Sequence, residues 1–473
     1  MLVVPASDHV FRAPEAAQGL LVPGGGSTVS RRSALASLLR GKMGNAVVHG
    51  GVPTGAPEIT LGSRAGRTTF YVALPPPGRH HNVTRYPIAV VGPDYRGLLT
   101  STSTRLPGLI SIADVVPSVK ALRSGDEPRI RSKPSADPAA RLAGLDRRLG
   151  QAHDARNWAT LVLVGLLTVL GLLALATRSA ALARAAFLSP ASCVAAAVAL
   201  SALGVRTPWT AVLGVALLGS GVALGAGLLL PPRLPMALAL AALFAFLFTV
   251  MWAKPEWNTL AVVGPHPDGG GRFYGITNEV ETILLAPALA LGALAGPTLV
   301  PVVGLLVAAG VAASEVGADG GGLVVYLAGF LVLWLRLRRV PAAQAVAATA
   351  VSAAAALLLV GIDAATGGSS HVTHAVGGGP GSVLGDLGHR LHLSGASLVS
   401  SWNAALLFSL SVCALVWLGL RRPRLAVLDA LLGALVVSLL VNDTPADVAG
   451  FGALSALLLW VWARSEERDF PLQ

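Results

Sequence analysis

Residues 158–177 read WATLVLVGLLTVLGLLALAT and contain no charged side chain. An α-helix rises about 1.5 Å per residue, so a run of this length crosses the ~30 Å hydrocarbon core of a bilayer. The whole chain agrees, because 53% of its 473 residues are hydrophobic and only 12% are charged. A soluble globular protein carries roughly 25% charged residues. The run therefore predicts a membrane-spanning helix in a chain built largely of such helices.

Apolar runs of about membrane length follow one another from residue 158 onward. We identify eleven, at 158–177, 186–204, 209–230, 234–253, 281–296, 298–314, 322–336, 342–362, 398–419, 425–441 and 449–463. Pro287, Pro297 and Pro301 lie in or between the fifth and sixth runs, and eight of the nine tryptophans lie at run ends, as in an aromatic belt. The pattern predicts a mainly α, polytopic helical membrane protein with about 11 transmembrane helices and a small N-terminal α/β extracytoplasmic domain.

The chain divides into three parts by composition. Residues 1–133 are expected to form the α/β domain, residues 134–157 a juxtamembrane amphipathic linker helix, and residues 158–473 the multi-span domain. In the linker, Leu142, Leu145 and Leu149 share one helical face.

Basic residues between the runs are distributed unequally, which predicts orientation. One set of joints carries eleven: Arg178, Arg184, Arg233, Arg336, Arg338, Arg339, Arg421, Arg422, Arg424, Arg464 and Arg468. The opposite set carries four: Arg206, Lys254, Arg272 and Arg390. Cytoplasmic joints are the basic ones, so we predict the N-terminal domain outside and the C-terminus cytoplasmic. Export of the N-terminal domain needs a signal sequence that residues 1–20 lack, so we expect the native product to begin upstream of Met1.

The source and partners are predicted from composition. Abundant Ala and Gly, with 31 Arg against 4 Lys, are typical of a GC-rich bacterial genome such as that of an actinobacterium, which predicts the plasma membrane of a bacterium. The formal net charge of +11 lies mostly before residue 157, and it suits an anionic lipid surface, a phosphorylated ligand or simple solvation. Nucleic acid is disfavoured as a partner, because two-thirds of the chain is predicted to be embedded in the membrane.

The N-terminal region has the alternation of a small α/β domain. Residues 69–74 and 88–91 read as strands, and residues 109–112 read as a short strand before a helix that starts at Asp114. An earlier helical pattern follows glycines 24–26 and stops at Gly41. Ser27 or Ser30 is expected to cap that helix, with anion binding at its N-terminus as the alternative.

Three stretches of this region carry a resemblance: AVVGP at 89–93, GLLTSTSTRLPG at 97–108 and ISIADVVPSV at 110–119. They resemble the C-terminal part of alkaline-phosphatase-superfamily domains. That superfamily uses Asp and His metal ligands with a Ser or Thr nucleophile, and residues 1–156 show no matching ligand set. The resemblance implies a fold remnant more than phosphatase activity, and no metal site is predicted.

Polar motifs border the apolar runs on the predicted outer side. They are GGGRFYGITNEVET at 269–282, GADGGG at 317–322 and VND at 441–443. The stretches RFYGITNEVE at 272–281, GADGGG and VND resemble motifs of bacterial multi-span membrane proteins, a resemblance that implies no reaction. We predict that they line one outward-facing pocket, with catalytic residues Glu279, Asp319 and Asp443 and substrate-binding residues Arg272, Tyr274, Asn278 and Asn442. Solvated helix caps and loop ends are the alternative reading.

Two functional classes fit these motifs. The first is an extracytoplasmic envelope enzyme acting on a lipid-linked or phosphorylated substrate, whose cofactor the sequence does not identify. The second is a transporter, flippase or non-catalytic scaffold, and the scarcity of ionisable residues within the runs argues against ion-coupled transport. Asp429 lies near the inner end of the tenth run, where Arg421, Arg422 or Arg424 can pair with it. His371 and His374 lie in a glycine-rich stretch, which favours a polar loop over a zinc site.

Overall fold

The computed structural model describes residues 2–4, 16–41, 43, 68–205, 207–231, 233–265, 267, 272–365, 388, 392, 394–396, 398–399, 401–422 and 424–466. The chain forms two compact units. The first comprises Met1–Asn157, Arg206–Pro208 and Asn258–Tyr274, and the second comprises Trp158–Val205, Trp209–Trp257 and Gly275–Gln473.

The first unit is built on a mixed β-sheet. Its strands are β1 (Leu2–Val4), β2 (Ala17–Val22), β3 (Thr28–Ser30), β4 (Thr69–Ala73), β5 (Arg79–His81), β6 (Tyr86–Val91), β7 (Gly97–Ser101), β8 (Leu109–Ser111) and β9 (Ile130–Lys133), with helices α1 (Arg31–Arg40) and α2 (Val115–Ser124). The main sheet runs β1-β4-β6-β2-β7-β9, with β8 also pairing β2, and β3 pairs β5 separately. Strand β2 is antiparallel to β6 and parallel to β7 and β8. Leu21, Ile88, Leu99 and Ile110 are fully buried in the core of this sheet.

The predicted elements of this region are confirmed. The strand at 69–74 is β4, the strand at 88–91 lies in β6, the strand at 109–112 is β8, and α2 follows Asp114. Helix α1 is capped by Ser30, whose Oγ accepts from Ser33 N at 3.1 Å, while Ser33 Oγ accepts from Ser30 N at 2.9 Å. Gly41 ends the helix at φ +61°, a left-handed conformation that glycine adopts without strain.

The remaining helices are mostly apolar. They are α3 (Pro138–Thr177), α4 (Ala180–Ala202), α5 (Pro208–Leu229), α6 (Leu234–Ala253), α7 (Pro255–Thr259), α8 (Asn278–Ala295), α9 (Val300–Ala312), α10 (Gly320–Arg338), α11 (Ala342–Ala365), α12 (Trp402–Leu420), α13 (Ala426–Val441) and α14 (Pro445–Glu466). Helix α3 contains Leu142, Leu145 and Leu149, which are buried within the first unit, and continues through residue 177.

Each of the eleven predicted runs coincides with an apolar helix, but the count of eleven spans is not confirmed. Among the described residues, nine helices are long and apolar enough to cross a membrane. The sixth and tenth runs form α9 and α13, of 13 and 16 residues. Helices of that length rise about 20–24 Å, less than the ~30 Å hydrocarbon core. The nine longer helices, by their length and composition, indicate a multi-pass helical membrane protein.

Helix α8 lies at the centre of the second unit and packs against α4, α6, α9, α10, α13 and α14. Small residues allow this close packing, as is usual between membrane helices. A Cβ on Gly292 would lie 2.7 Å from the Phe330 ring, and one on Gly304 would lie 2.8 Å from the same ring. Phe330 of α10 thus occupies space that two glycines leave open.

Ion pairs mark one end of this unit. Arg336 Nε of α10 lies 2.9 Å from Asp429 Oδ2 of α13, and Arg184 of α4 pairs with Glu466 of α14. The predicted pairing of Asp429 with an arginine next to it in sequence was therefore wrong, because Arg336 forms the ion pair. Arg421, Arg422 and Arg424 are closer in sequence, but the packing of α10 against α13 brings Arg336 to the carboxylate.

Candidate functional site

Helix α8 begins with a polar turn. Thr277 caps it, its side chain accepting from Val280 N at 3.2 Å, and Thr282 Oγ1 donates to the Asn278 carbonyl at 2.8 Å. Glu279 and Glu281 lie in this first turn, where negative charge interacts favourably with the helix dipole. Residues 278–282 of the predicted motif thus form the start of helix α8, and their side chains lie at the end of the helix bundle.

Asn278 connects this helix start to the loop between α13 and α14. Its Nδ2 donates to Asp443 Oδ1 at 3.1 Å and to Thr444 Oγ1 at 3.1 Å. The residues are 165 and 166 positions apart in sequence, so tertiary packing alone makes these contacts. Asn278 and Asp443 are both half-exposed, which leaves the carboxylate within reach of a ligand.

A second, fully buried contact lies behind the first. Asn442 Nδ2 donates to Glu281 Oε2 at 3.0 Å and to Ser438 Oγ at 2.8 Å. Glu281 is 0% exposed and Asn442 is 2% exposed. Tyr326 Oη of α10 donates to the Glu281 carbonyl at 2.9 Å. Parts of three helices therefore meet at the buried residue Glu281, two through its carboxylate and one through its backbone carbonyl, and each hydrogen bond there is stronger than in water.

Asp319 caps α10 beside these residues. Its Oδ1 accepts from Gly322 N at 3.2 Å, and its side chain is buried. A Cβ placed on Gly321 would lie 2.9 Å from Asn442 Oδ1 and 3.5 Å from Asp319 Oδ1. Gly321 therefore lets the end of α13 approach the start of α10 closely.

The segment before Asp319 is tied to two other parts of the second unit. Ile276 N donates to the Gly317 carbonyl at 2.8 Å, and a Cβ on Gly275 would lie 2.1 Å from that oxygen. Asp363 of α11 accepts from Ser314 N at 2.8 Å and from Ser314 Oγ at 2.6 Å. These contacts fix the backbone around the polar residues on rigid helix ends.

We use the term polar end cluster for Asn278, Glu281, Asp319, Tyr326, Ser438, Asn442, Asp443 and Thr444. Of the predicted site residues, four belong to it: Asn278, Asp319, Asn442 and Asp443. Glu279 is half-exposed and follows Asn278 directly in α8.

The two other predicted residues, Arg272 and Tyr274, belong to the first unit. There the Arg105 guanidinium lies 5.2 Å from the centroid of the Tyr274 ring, a cation–π contact. Phe273 accepts from Thr259 Oγ1 at 2.9 Å through its carbonyl. The ligand-binding roles of Arg272 and Tyr274 stay predictions.

Sequence reasoning left Glu281, Ser438, Tyr326 and Thr444 out of the site. Two local signals pointed to Glu281 and Ser438. Glu281 lies three positions after Asn278 and Ser438 four positions before Asn442, so each pair shares a helical face. Tyr326 gave no such signal, because its partner is the backbone of a helix 45 residues away.

The first unit holds a separate buried carboxylate. Asp114 is 1% exposed, and its Oδ2 accepts from Ser101 Oγ at 2.6 Å and from Ser103 Oγ. Arg129 Nη1 lies 3.8 Å from Oδ1. Burial raises the pKa of this carboxyl, while the Ser101 and Ser103 hydrogen bonds and the Arg129 charge act to lower it. The carboxylate ties the turn after β7 to the start of α2, which is a structural role.

Within the described part of the chain, no group of three or more His, Cys, Asp or Glu side chains has the geometry of a metal site. His371 and His374 lie outside the described residues. Comparison with protein-family models, with curated proteins and with solved structures found no match. The site must therefore be interpreted from its own geometry.

Proposed function

We propose that this protein is a multi-pass plasma-membrane enzyme that acts on a lipid-linked, sugar- or phosphate-bearing envelope substrate at the membrane face where α8 and α10 begin. One observation carries the proposal: the polar motifs of three separated helix ends meet in the polar end cluster. Solvated loop ends have no reason to converge, and here Asn278 reaches Asp443 across 165 residues.

The proposed chemistry is general acid–base catalysis by Asp443, with Glu279 as the second accessible carboxylate. Asn278 orients Asp443 through one hydrogen bond to Oδ1, and among the described residues the other carboxylate oxygen remains to accept or deliver a proton. Glu281 and Asn442 lie buried behind it and hold α8 and α13 together. In this proposal Glu281, Asn442 and Asp319 act as positioning residues, since a precise site needs rigid support.

The chemistry of these side chains favours a head group rich in hydroxyls. Carboxylates, carboxamides and hydroxyls pair with sugar hydroxyls as donors and acceptors. A phosphate needs cationic or N–H donors, and the roles of Arg272 as a phosphate ligand and of Tyr274 as a stacking residue stay predictions from the sequence. A lipid anchor on the substrate fits a site at the end of membrane helices.

We further propose that the enzyme lies in a bacterial plasma membrane with the polar end cluster outside. The ion-paired end, with Arg184 and Arg336, is then cytoplasmic, in agreement with the distribution of basic residues. In a background lacking Cys193 and Cys413, cysteines at Glu315 and Arg339, both exposed, test this orientation. An impermeant thiol reagent should label the first and not the second on intact cells; the reverse pattern contradicts the orientation.

The N-terminal unit is proposed to be an alkaline-phosphatase-like remnant that lacks catalysis. The observations behind it are the mixed α/β sheet and the structural use of Asp114, a buried acidic residue in the resembling stretch. The proposal predicts that purified protein releases no phosphate from aryl phosphates, with or without added zinc or magnesium ions.

One observation favours a flippase as a second candidate. Glu281 is a wholly buried carboxylate in the first turn of the otherwise apolar helix α8, and ionisable residues in membrane helices often mark substrate pathways. A flippase moves its substrate without changing it, so chemical analysis separates the two candidates.

Lipid extraction from cells with and without the gene tests the enzyme. We expect one lipid-linked species to accumulate in the deletion strain and its chemically altered product to disappear. Glu279→Gln and Asp443→Asn should fail to restore the product, while Glu315→Gln, an exposed carboxylate next to Ser314, should restore it. Unchanged lipid composition, or full restoration by both site variants, rejects catalysis at this site.

A further inference from the structure

An apolar cavity of about 410 Å³ lies between α9, α10 and α11. Its walls include Pro301 and Gly304 of α9, Leu327 and Trp334 of α10, and Val351 of α11. The polar side chains on this wall are Gln344 and Ser352 of α11 and the Trp334 indole. We propose that this cavity binds one acyl chain of an anionic glycerophospholipid, whose phosphate contacts Arg338.

The dimensions of the cavity match one leaflet of a bilayer. Along α11 the wall extends from Gln344 to Ala355, a rise of about 16 Å. Half of a ~30 Å hydrocarbon core is about 15 Å. The span of α11 has none of its residues buried inside the protein, so this side of the cavity faces the lipid.

The charge at one end of the cavity identifies the head group. Arg338 lies four residues after Trp334, on the same face of α10 and one turn further along. Its Nη2 donates to Thr298 Oγ1 at 3.0 Å, just before α9, and the residue remains exposed. Gln344 occupies the first turns of α11 at this same end. A guanidinium with an amide beside it suits a phosphate diester and glycerol esters.

The end that carries Arg338 also carries Arg336, which pairs with Asp429. Arg338 differs, because among the described residues its hydrogen bond is to a neutral hydroxyl, which leaves its positive charge for an anion. Basic residues near a bilayer surface attract anionic lipid. The cavity supplies apolar contact for the chain, and Arg338 supplies selection for charge.

Trp334 provides the readout for a test on the full-length protein reconstituted in zwitterionic bilayers. Phosphatidylglycerol with brominated acyl chains is added in increasing fraction, and brominated phosphatidylcholine serves as the comparison. The emission of Trp334 is taken as the difference between wild type and Trp334→Phe. We expect the anionic lipid to quench this emission several-fold more effectively than phosphatidylcholine does.

Two pairs of variants complete the design. Arg338→Gln should remove the preference for the anionic lipid, whereas Arg339→Gln, the neighbouring exposed arginine, should retain most of it. Ala348→Trp fills the cavity and should abolish quenching of Trp334 by either lipid, whereas Ala350→Trp, outside the cavity wall, should not. Because the substituted tryptophan adds its own emission, quenching is read as the difference from the same variant with Trp334→Phe.

Equal quenching by the two lipids, or an unchanged preference in Arg338→Gln, overturns the proposal in favour of non-selective annular lipid. Undiminished quenching in Ala348→Trp overturns it as well.

Discussion

Asn442 Nδ2 lies 3.0 Å from Glu281 Oε2, and this contact joins the last turn of α13 to the first turn of α8 inside the helix bundle. Both residues are almost inaccessible to solvent. Removing one partner of a buried hydrogen bond leaves the other desolvated and unsatisfied. The contact therefore predicts a clear asymmetry between conservative and apolar substitutions.

Replacing Asn442 with Leu should lower the free energy of unfolding by about 2–4 kcal/mol, because Glu281 loses its amide donor inside the bundle. Glu281→Gln keeps an acceptor for Asn442 and should cost less than about 1.5 kcal/mol. Thermal unfolding of the two purified variants in one detergent measures the difference. Equal losses of stability would show that the contact contributes little.

Two substitutions of Asp319 distinguish a capping role of this residue from a chemical role. Asp319→Ala removes the side-chain acceptor for Gly322 N and should destabilise α10 by about 0.5–2 kcal/mol. Asp319→Asn can still cap the helix and should stay within about 0.5 kcal/mol of wild type. If Asp319→Asn remains folded but is inactive, the carboxylate has a role beyond the cap, as the sequence predicts.

Two glycines of α5 make a matched pair for helix packing. A Cβ on Gly219 would lie 2.5 Å from Cys193 Sγ and 2.7 Å from Cys193 Cα, whereas one on Gly221 meets nothing within 4 Å. Gly219→Ala should therefore force α4 and α5 apart and cost about 1–3 kcal/mol. Gly221→Ala should be neutral or slightly stabilising, since alanine favours helix. Unfolding temperatures of both variants in detergent check the pair, and similar values would contradict the close approach.

Asp114 predicts a pH dependence for the first unit. Burial raises the pKa of its carboxyl above the ordinary value of 3.8 in the folded state. The stabilising contribution is present below that ordinary value and is lost as pH rises through the higher folded pKa. Stability should therefore be lower at neutral than at mildly acidic pH, and Asp114→Asn should reduce this difference. The rate of proteolysis between residues 97 and 124 in the full-length protein, measured against pH, reports it. An unchanged pH dependence in the variant would contradict the account.

The positions of the helices follow from local properties of the sequence. Apolar length and composition placed all eleven hydrophobic helices, because burial in lipid requires a continuous run whatever its neighbours are. The bounds shifted by a few residues, as for α4, where the run at 186–204 became Ala180–Ala202. The sixth run, at 298–314, is longer than α9 because the apolar sequence continues beyond both ends of that helix, whereas the tenth run, at 425–441, differs from α13 by one residue.

The contacts between helices do not follow from such local properties. The predicted convergence of Asn278 with Asp443 used only the rule that alternate helix ends lie on one side of the membrane. The partner of Glu281 lies 161 residues away and depends on α8 packing against α13. Asp429 shows the same limit, because neighbouring arginines in sequence suggested a pair that packing gave to Arg336.

The most direct measurement of the central claim is turnover of the lipid-linked species from the deletion strain by purified Asp443→Asn protein. Asparagine retains an acceptor for Asn278 Nδ2, so the helix ends should keep their arrangement while the acid–base group is removed. We predict that turnover falls at least about 100-fold with unchanged thermal unfolding, while Glu315→Gln behaves as wild type. Wild-type turnover by a folded Asp443→Asn protein would contradict the account.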